Sequence, residues 1–209
     1  MQTLLFDEKN IDFIKIKNLF EKGDVIAFPT ETVYGIGALI NQEKAILKIY
    51  QLKKRDKLKA LTIHSSKISD VEKVAKDIPE DFYKLSKAFM PGPLTVILKK
   101  NKNISSSISP FDTIGFRVPD HPVFYQMLRH LDLPIVGTSA NLSSEEDLKS
   151  GGDVCKLFNG KIACVIDAGF SQIQIPSTVI SLVGEIKILR KGSISKEDIE
   201  KVLKKEISF

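Results

Sequence analysis

The unbroken apolar run Val25-Ile26-Ala27-Phe28, launched by Gly23-Asp24 and halted by Pro29, constrains this chain more than any other segment. A stretch apolar at every residue has no solvated face, so it predicts a strand buried on both sides. Proline cannot donate to a sheet ladder, and pairing ends there. The residues that follow, Thr30-Glu31-Thr32-Val33-Tyr34-Gly35-Ile36-Gly37, place hydroxyls, a carboxylate and two glycines at the strand's exit. In α/β sheets that exit borders the crevice where small molecules bind, so the segment reads as a ligand-facing turn. Thr-Glu-Thr satisfying the backbone of an ordinary turn is the alternative that these residues leave open.

Helical and strand patterns alternate along the rest of the chain. Ile11, Ile14, Leu19 and Phe20 recur at about helical spacing after Asn10, with Gly23 as a stop, so the expected order begins with a helix and then a strand. A second helix is expected over 41–54 with Ala45, Ile46, Ile49 and Tyr50 on its inner face, before a strand at 60–64. Helical stretches near 69–89 lead through Pro91-Gly92-Pro93 to a strand at 94–98, and 114–118 reads as another. Residues 121–130 return to helix, 134–137 form a short strand, 154–158 a helix and 163–166 a buried strand. Runs at 177–182 and 185–189 flank Val183-Gly184 at hairpin spacing, and Ser195 opens a final amphipathic helix. The order predicts an α/β fold with a mixed sheet.

At 209 residues with no Pro/Gly/Ser-rich linker, the chain fits one domain over residues 1–209. No apolar run approaches a membrane span, and the N-terminal residues lack the basic and apolar regions of a signal peptide, so a cytoplasmic location without membrane association is expected. Cys155 and Cys164, with His64, His121 and His130, form neither a zinc pattern nor a disulfide framework, and the cysteines read as core thiols. A net charge of +5 favours an anionic partner, nucleotide or RNA.

Several short constellations carry candidate chemistry. Lys53-Lys54-Arg55-Asp56-Lys57 ends the second helix, either as a solvated helix end or as a phosphate clamp built from a point charge at Lys53 and a bidentate fork at Arg55. His64 closes an apolar strand, where a core histidine is the ordinary reading. Arg117 stands in Gly115-Phe116-Arg117-Val118-Pro119, a strand so apolar that its guanidinium needs a carboxylate or a phosphate, with Asp112 or Asp120 as internal candidates. Thr138-Ser139-Ala140-Asn141 follows a strand and offers small polar groups, either to a ligand or to a cap made by Asn141. Neither a phosphate-binding loop of the Gly-x-x-x-x-Gly-Lys type nor a three-glycine dinucleotide fingerprint is present, and no catalytic triad stands out.

Taken in order, Pro29-Thr30-Glu31-Thr32-Val33-Tyr34-Gly35, Lys53-x-Arg55, Pro91-Gly92-Pro93-Leu94-Thr95, Gly115-x-Arg117-x-Pro119, Thr138-Ser139-Ala140-Asn141, Ser177-Thr178-Val179 and Leu189-Arg190-x-Gly192 closely resemble the YrdC-type threonylcarbamoyl-AMP synthase family. The resemblance covers roughly residues 10–195 and is to the short bacterial form. It implies a single YrdC-like domain whose twisted mixed sheet forms an open, concave, positively charged cavity flanked by helices. It also implies an activity: L-threonine, bicarbonate and ATP, with Mg²⁺, giving threonylcarbamoyl-AMP and pyrophosphate for the threonylcarbamoyladenosine modification of tRNA.

By the same resemblance, Lys53 and Arg55 are expected to hold the triphosphate with Lys59. Thr32, His64, Arg117, Ser139 and Ser177 would surround L-threonine. Thr113, Asn141, Ser150 and Arg190 would lie on the nucleotide side, and metal ligands are not implied. Implied partners are the small-molecule substrates, tRNA and the downstream threonylcarbamoyl transferase machinery. Asp56 and Ala60 stand where the family usually has proline, which predicts a loop that is mobile without ligand. Ser144 replaces a common glycine.

Two other functions compete with this one. A non-catalytic RNA-binding module would use the basic charge, but with no Trp and four Tyr the chain offers few base-stacking platforms. Carbamoyl transfer in hydrogenase maturation uses a similar domain within a much larger protein, and the chain length argues against it.

Overall fold

The apolar runs become strands of one sheet, in a computed structural model that describes residues 2–209. In chain order the elements are β1 (Leu4–Asp7), α1 (Phe13–Glu21), β2 (Ile26–Phe28), β3 (Gly35–Leu39), α2 (Glu43–Lys53), β4 (Thr62–His64), α3 (Val71–Val74), α4 (Glu80–Phe89), β5 (Leu94–Lys99), β6 (Thr113–Arg117), α5 (Pro122–Arg129), β7 (Ile135–Ser139), α6 (Gly151–Phe158), β8 (Cys164–Asp167), β9 (Thr178–Ser181), β10 (Lys187–Arg190) and α7 (Lys196–Leu203). The strand order is β1-β8-β2-β3-β7-β4-β6-β5-β9-β10. Parallel pairs (β1 with β8, β2 with β8, β4 with β6, β5 with β9) are mixed with antiparallel ones, as the alternating order predicts.

Strand alternation sends successive side chains to opposite faces. On β2, Ala27 joins the larger core with Ile36, Ile63, Phe116 and Val136. Ile26 and Phe28 point the other way, into a second core with Ile16 and Phe20 of α1 and Phe124 and Met127 of α5. Helix α2 buries Ala45, Ile46, Ile49 and Tyr50, the face its spacing predicts. The second core, with Phe6 of β1 and Ile135 of β7 at its margins, covers the β1-β8-β2-β3 end of its face, beneath α1 and α5. Alternate residues of β7, β4, β6, β5 and β9 on that face are left without a covering helix, and this bare part is the site.

Several expectations need correction. A strand, β1, precedes the first helix, and that helix is capped by Asp12, whose side chain accepts from the Lys15 amide. It buries Ile16 and Phe20 and leaves Ile14 70% exposed. The stretch near 69–89 divides into α3 and α4 because Ala75 is extended. Strand β7 runs through Ser139, so Thr138 and Ser139 belong to the ladder instead of following it.

Gly35-Ile36-Gly37 is no turn but the start of β3, paired antiparallel to β2 with Phe28 opposite Gly35. A Cβ on Gly35 would stand 2.6 Å from the Phe28 ring, and one on Gly37 2.6 Å from the Val136 carbonyl oxygen. These glycines make a shelf for an aromatic ring.

Cys155 and Cys164 are both free thiols, with Cys164 fully buried. No helix among the described residues is long and apolar enough to cross a membrane.

Candidate active site

The bare face forms an open cavity of about 260 Å³. Thr62 and His64 of β4, Arg117 of β6, Thr95 and Ile97 of β5, and Gly137 and Ser139 of β7 supply its floor, and Ser177, Val179 and Arg190 close one side. Arg55 and Ala60 reach it from the loop after α2. Three guanidiniums and no carboxylate line this cavity, so it is built for an anionic ligand.

Arg117 is fixed from several directions. Its Nη2 donates to Glu31 Oε1 at 2.8 Å and to Thr32 Oγ1 at 2.9 Å, and its Nε donates to the Gly92 carbonyl at 3.3 Å. The buried partner is therefore Glu31, neither Asp112 nor Asp120. Thr30 and Thr32 hydroxyls sit 2.9 Å apart, and Thr30 donates to the Val33 carbonyl at 2.7 Å. The polar segment after β2 thus satisfies its own turn and braces Arg117 at the same time. Glu31 Oε2 is buried with no hydrogen-bond partner.

His64 lies edge-on to Phe28 and Phe124, each 6.1 Å away between centroids. Burial, reinforced by the Arg117 charge, pushes its pKa down to about 3. It is a neutral imidazole, and its Nδ1 has no partner.

Across the cavity, Arg190 donates from Nε to the Ser177 carbonyl and from Nη2 to Ser177 Oγ, both at 3.0 Å, while Thr95 and Ser177 hydroxyls are 2.8 Å apart. Gly192 permits this arrangement, since a Cβ there would lie 2.2 Å from the Thr178 nitrogen. Arg55 donates from Nε to the Lys59 carbonyl at 2.9 Å and from Nη2 to the Ala60 carbonyl at 3.0 Å, holding its own loop.

Of the residues expected at the site, His64, Arg117, Ser139, Ser177, Arg55 and Arg190 line one cavity, and Thr32 stands directly behind Arg117. Others lie elsewhere. Lys53, expected on the phosphates, is 1% exposed and does not line the cavity; its ammonium donates to the Ser139 and Asn141 carbonyls and to Asn141 Oδ1. It is the last residue on the inner side of α2, and the left-handed Lys54 reverses the chain before Arg55 emerges. Asn141 is buried behind Ser139. Thr113 opens β6 at the end opposite Arg117, beside Lys99 and about 13 Å along the strand. Ser150 caps α6 by accepting from the Asp153 amide, and Lys59 is exposed on the loop. The residues 144–150 follow Ser144, whose φ of 72° is the left-handed geometry that suits the glycine common there.

Thr62, Thr95 and Phe28, which carry no site role in the sequence reading, also line the cavity, as does Thr30 of the segment read as a ligand-facing turn. Thr95 belongs to the segment Pro91-Gly92-Pro93-Leu94-Thr95, but its inward direction depends on strand register. Among the described residues no cluster of His, Cys, Asp and Glu could hold a metal ion. The cavity's donors do not fit a protein-held Mg²⁺, which prefers carboxylate and phosphate oxygens, so any such ion would belong to a bound nucleotide.

A mixed α/β sheet with a bare concave face, lined by hydroxyls and three arginines, defines a small-molecule cleft for an anionic ligand. The chain belongs to the Sua5/YciO/YrdC family, whose model, described as "Telomere recombination", matches residues 18–192. It is 39% identical over 184 residues to a threonylcarbamoyl-AMP synthase of Pyrococcus abyssi, covering 87% of this chain and 54% of that protein. It is 38% identical over 189 residues to a threonylcarbamoyl-AMP synthase of Psychromonas ingrahamii, covering 86% of this chain and 95% of that one. The structure of P. abyssi Sua5 complexed with L-threonine superposes with a TM-score of 0.92 at 36% identity, covering all of this chain and 63% of the other. The chain spans about half the length of the P. abyssi and Bacillus subtilis relatives it matches.

Proposed function

We propose that this chain is an L-threonylcarbamoyladenylate synthase, a nucleotidyltransferase that joins L-threonine, bicarbonate and ATP into threonylcarbamoyl-AMP and pyrophosphate. The observation that carries the reading is the set of Arg117, His64, Ser139, Ser177, Arg55 and Arg190 around one cavity, in a chain similar to a protein solved with L-threonine. On this reading residues 1–209 act as one catalytic domain in the cytosol, and the product goes to the machinery that modifies tRNA.

The chemistry needs no protein nucleophile. The threonine amine adds to bicarbonate with loss of water to give a carbamate; a carbamate oxygen then attacks the α-phosphorus and expels pyrophosphate. What the protein supplies is position and charge. Arg117, its Nη2 held by Glu31 and Thr32 and its Nε by the Gly92 carbonyl, keeps Nη1 to anchor the threonine carboxylate by charge-assisted hydrogen bonds. Ser139, Ser177 and neutral His64 read the remaining polar groups of the amino acid. Arg55 and Arg190 face the phosphates, where negative charge builds on the leaving pyrophosphate. Mg²⁺ would enter with ATP as part of the substrate. Lys59, Asn141, Ser150 and Thr113 take part only if the nucleotide draws their segments inward.

An open cavity of only about 260 Å³ suits a small molecule better than a nucleic-acid strand. Incubation with L-threonine, bicarbonate, Mg²⁺ and ATP, followed by mass spectrometry, tests the proposal. Threonylcarbamoyl-AMP and pyrophosphate are the expected products, and their absence from a folded, ATP-binding preparation would reject it.

A further inference from the structure

Arg190 reaches the cavity from the last strand of the sheet, and the ladder on its inner side holds that strand poorly. β10 pairs with β9 alone, with Ile188 opposite Ile180 and Arg190 opposite Val179, so Leu189 between them is a bulge. A bulged strand bends and twists more than a regular ladder, most of all at a sheet edge. The Arg190 guanidinium is nonetheless aimed, with two hydrogen bonds of 3.0 Å to Ser177.

What steadies the strand comes from beyond α7. Lys204, in left-handed geometry at a φ of 55°, reverses the chain, and the residues after it return along the outer edge of β10. Ser208 bridges Lys187 in parallel, and the Ile188 amide donates to the Ser208 carbonyl at 2.9 Å. This segment is anchored in turn: Ile207 is buried in the larger core, and its amide donates to Glu200 Oε1 at 2.9 Å. One residue past Arg190, the Lys191 ammonium stands 4.2 Å from the centre of the Phe209 ring, with the Lys196 ammonium 5.3 Å from the same centre. A cation so placed is attracted to the ring. The bulged strand is therefore gripped on both flanks of Arg190, at Ile188 through the backbone and at Lys191 through a side chain.

We propose that Ile207-Ser208-Phe209 is a positioning element for Arg190: by fixing Ile188 and Lys191 it holds the guanidinium on Ser177 at the cavity, and so sets the affinity for the phosphate groups of the ligand. The identity of that ligand rests on the ATP-using reaction proposed above, whereas the grip on β10 rests on geometry alone. Phe209 is 61% exposed and does not line the cavity. An effect of its removal on a cavity ligand has to travel through β10.

Calorimetric dissociation constants for ATP with Mg²⁺ test this in Phe209→Ala, Ile207→Ala, Arg190→Ala and the two double variants that contain Arg190→Ala. Phe209→Ala should weaken ATP about threefold and Ile207→Ala about tenfold, while Phe209→Tyr, which keeps a ring for Lys191, should stay within about 1.5-fold of the wild type. In the Arg190→Ala background each tail substitution should add almost nothing, because it acts only through the arginine. The full loss in that background would show that the tail merely supports the fold, and no loss in either background would show that it does not reach the site; each result overturns the proposal. Ile207→Ala opens a cavity in the core, and if that variant does not fold, the exposed Phe209 carries the cycle alone. A folded preparation that binds no ATP would reject the proposed reaction, and the tail is then decided without ligand. Hydrogen exchange at Arg190 Nε, followed by its ¹⁵N signal, should quicken at least about threefold in Phe209→Ala, and an unchanged rate would overturn the inference.

Discussion

Arg117 and Glu31 form a buried ion pair at 2.8 Å, both side chains less than a tenth exposed, joining the β6 strand to the segment that follows β2. The pair is lopsided. Arg117 Nη2 meets both Glu31 and Thr32, while Glu31 keeps a second oxygen with no partner. Removing Arg117 would leave a bare carboxylate in a low-dielectric setting. Arg117→Met should therefore lower unfolding free energy by about 3–5 kcal/mol, read from urea denaturation, with Glu31→Gln in the same chain restoring part of it. Unchanged stability in Arg117→Met would mean that the pair contributes nothing to the fold.

Arg55 holds only carbonyls of its own loop, so its loss leaves the core untouched. If it neutralises the triphosphate, Arg55→Ala should reduce turnover by about two orders of magnitude or more with little change in thermal midpoint. Near-normal turnover would remove Arg55 from the phosphate side.

The loop from Asp56 to Lys59 lacks proline and is fixed chiefly by Arg55 and by Asp56, whose carboxylate accepts from the Leu58 amide. A phosphate that draws the Arg55 guanidinium would exchange those carbonyls for a ligand and close the loop over it. Amide hydrogen exchange over residues 55–60 should slow on adding ATP and Mg²⁺. Equal exchange with and without nucleotide would show that this loop is no lid.

A cavity whose hydroxyls are held in place, Thr95 and Ser177 by each other and Ser139 by Asn141, should distinguish substrates by their own hydroxyl. L-valine, which lacks it, leaves a polar group unpaired and should be used at least about a hundredfold less efficiently than L-threonine. Competition between the two amino acids, with products resolved by mass, measures this ratio; a ratio near one would disprove it.

His64 is neutral in the fold, its pKa pushed down to about 3 by burial and then by Arg117, against the ordinary 6.5. Between these values the unfolded chain binds a proton that the folded chain does not, so its contribution to stability is complete above 6.5 and falls as pH drops toward 3. The urea midpoint should decline between pH 7 and pH 5, and His64→Gln should decline less. Parallel declines in the two proteins would place the linkage elsewhere.

The legibility of this protein in its sequence followed burial. Elements with a repeating apolar signal were readable: the inner face of α2, the strand Leu94–Lys99 and the hairpin of β9 and β10 all match. The strand β3 was not, because two of its five residues are glycines that give no apolar alternation; only the Phe28 ring packed across them explains their presence. Ile14 looked like a core residue because a nine-residue helix carries apolar groups on more than one side, and the packing of α1 against α5 chose Ile16 and Phe20.

At the site, the sequence by itself determined which chemical groups the chain brings: three arginines, a histidine and a set of hydroxyls in ordered motifs. Residue type is local and travels with the motif. Tertiary structure alone decided their direction, because facing the cavity depends on strand register, and one residue of shift reverses every side chain. Thus Lys53 and Arg55, two residues apart, divide between the interior and the cavity where α2 ends. Glu31 finds Arg117 because β6 carries that guanidinium to the polar segment after β2. Pairing across the sheet is a property of the assembled fold, and no spacing along the chain encodes it.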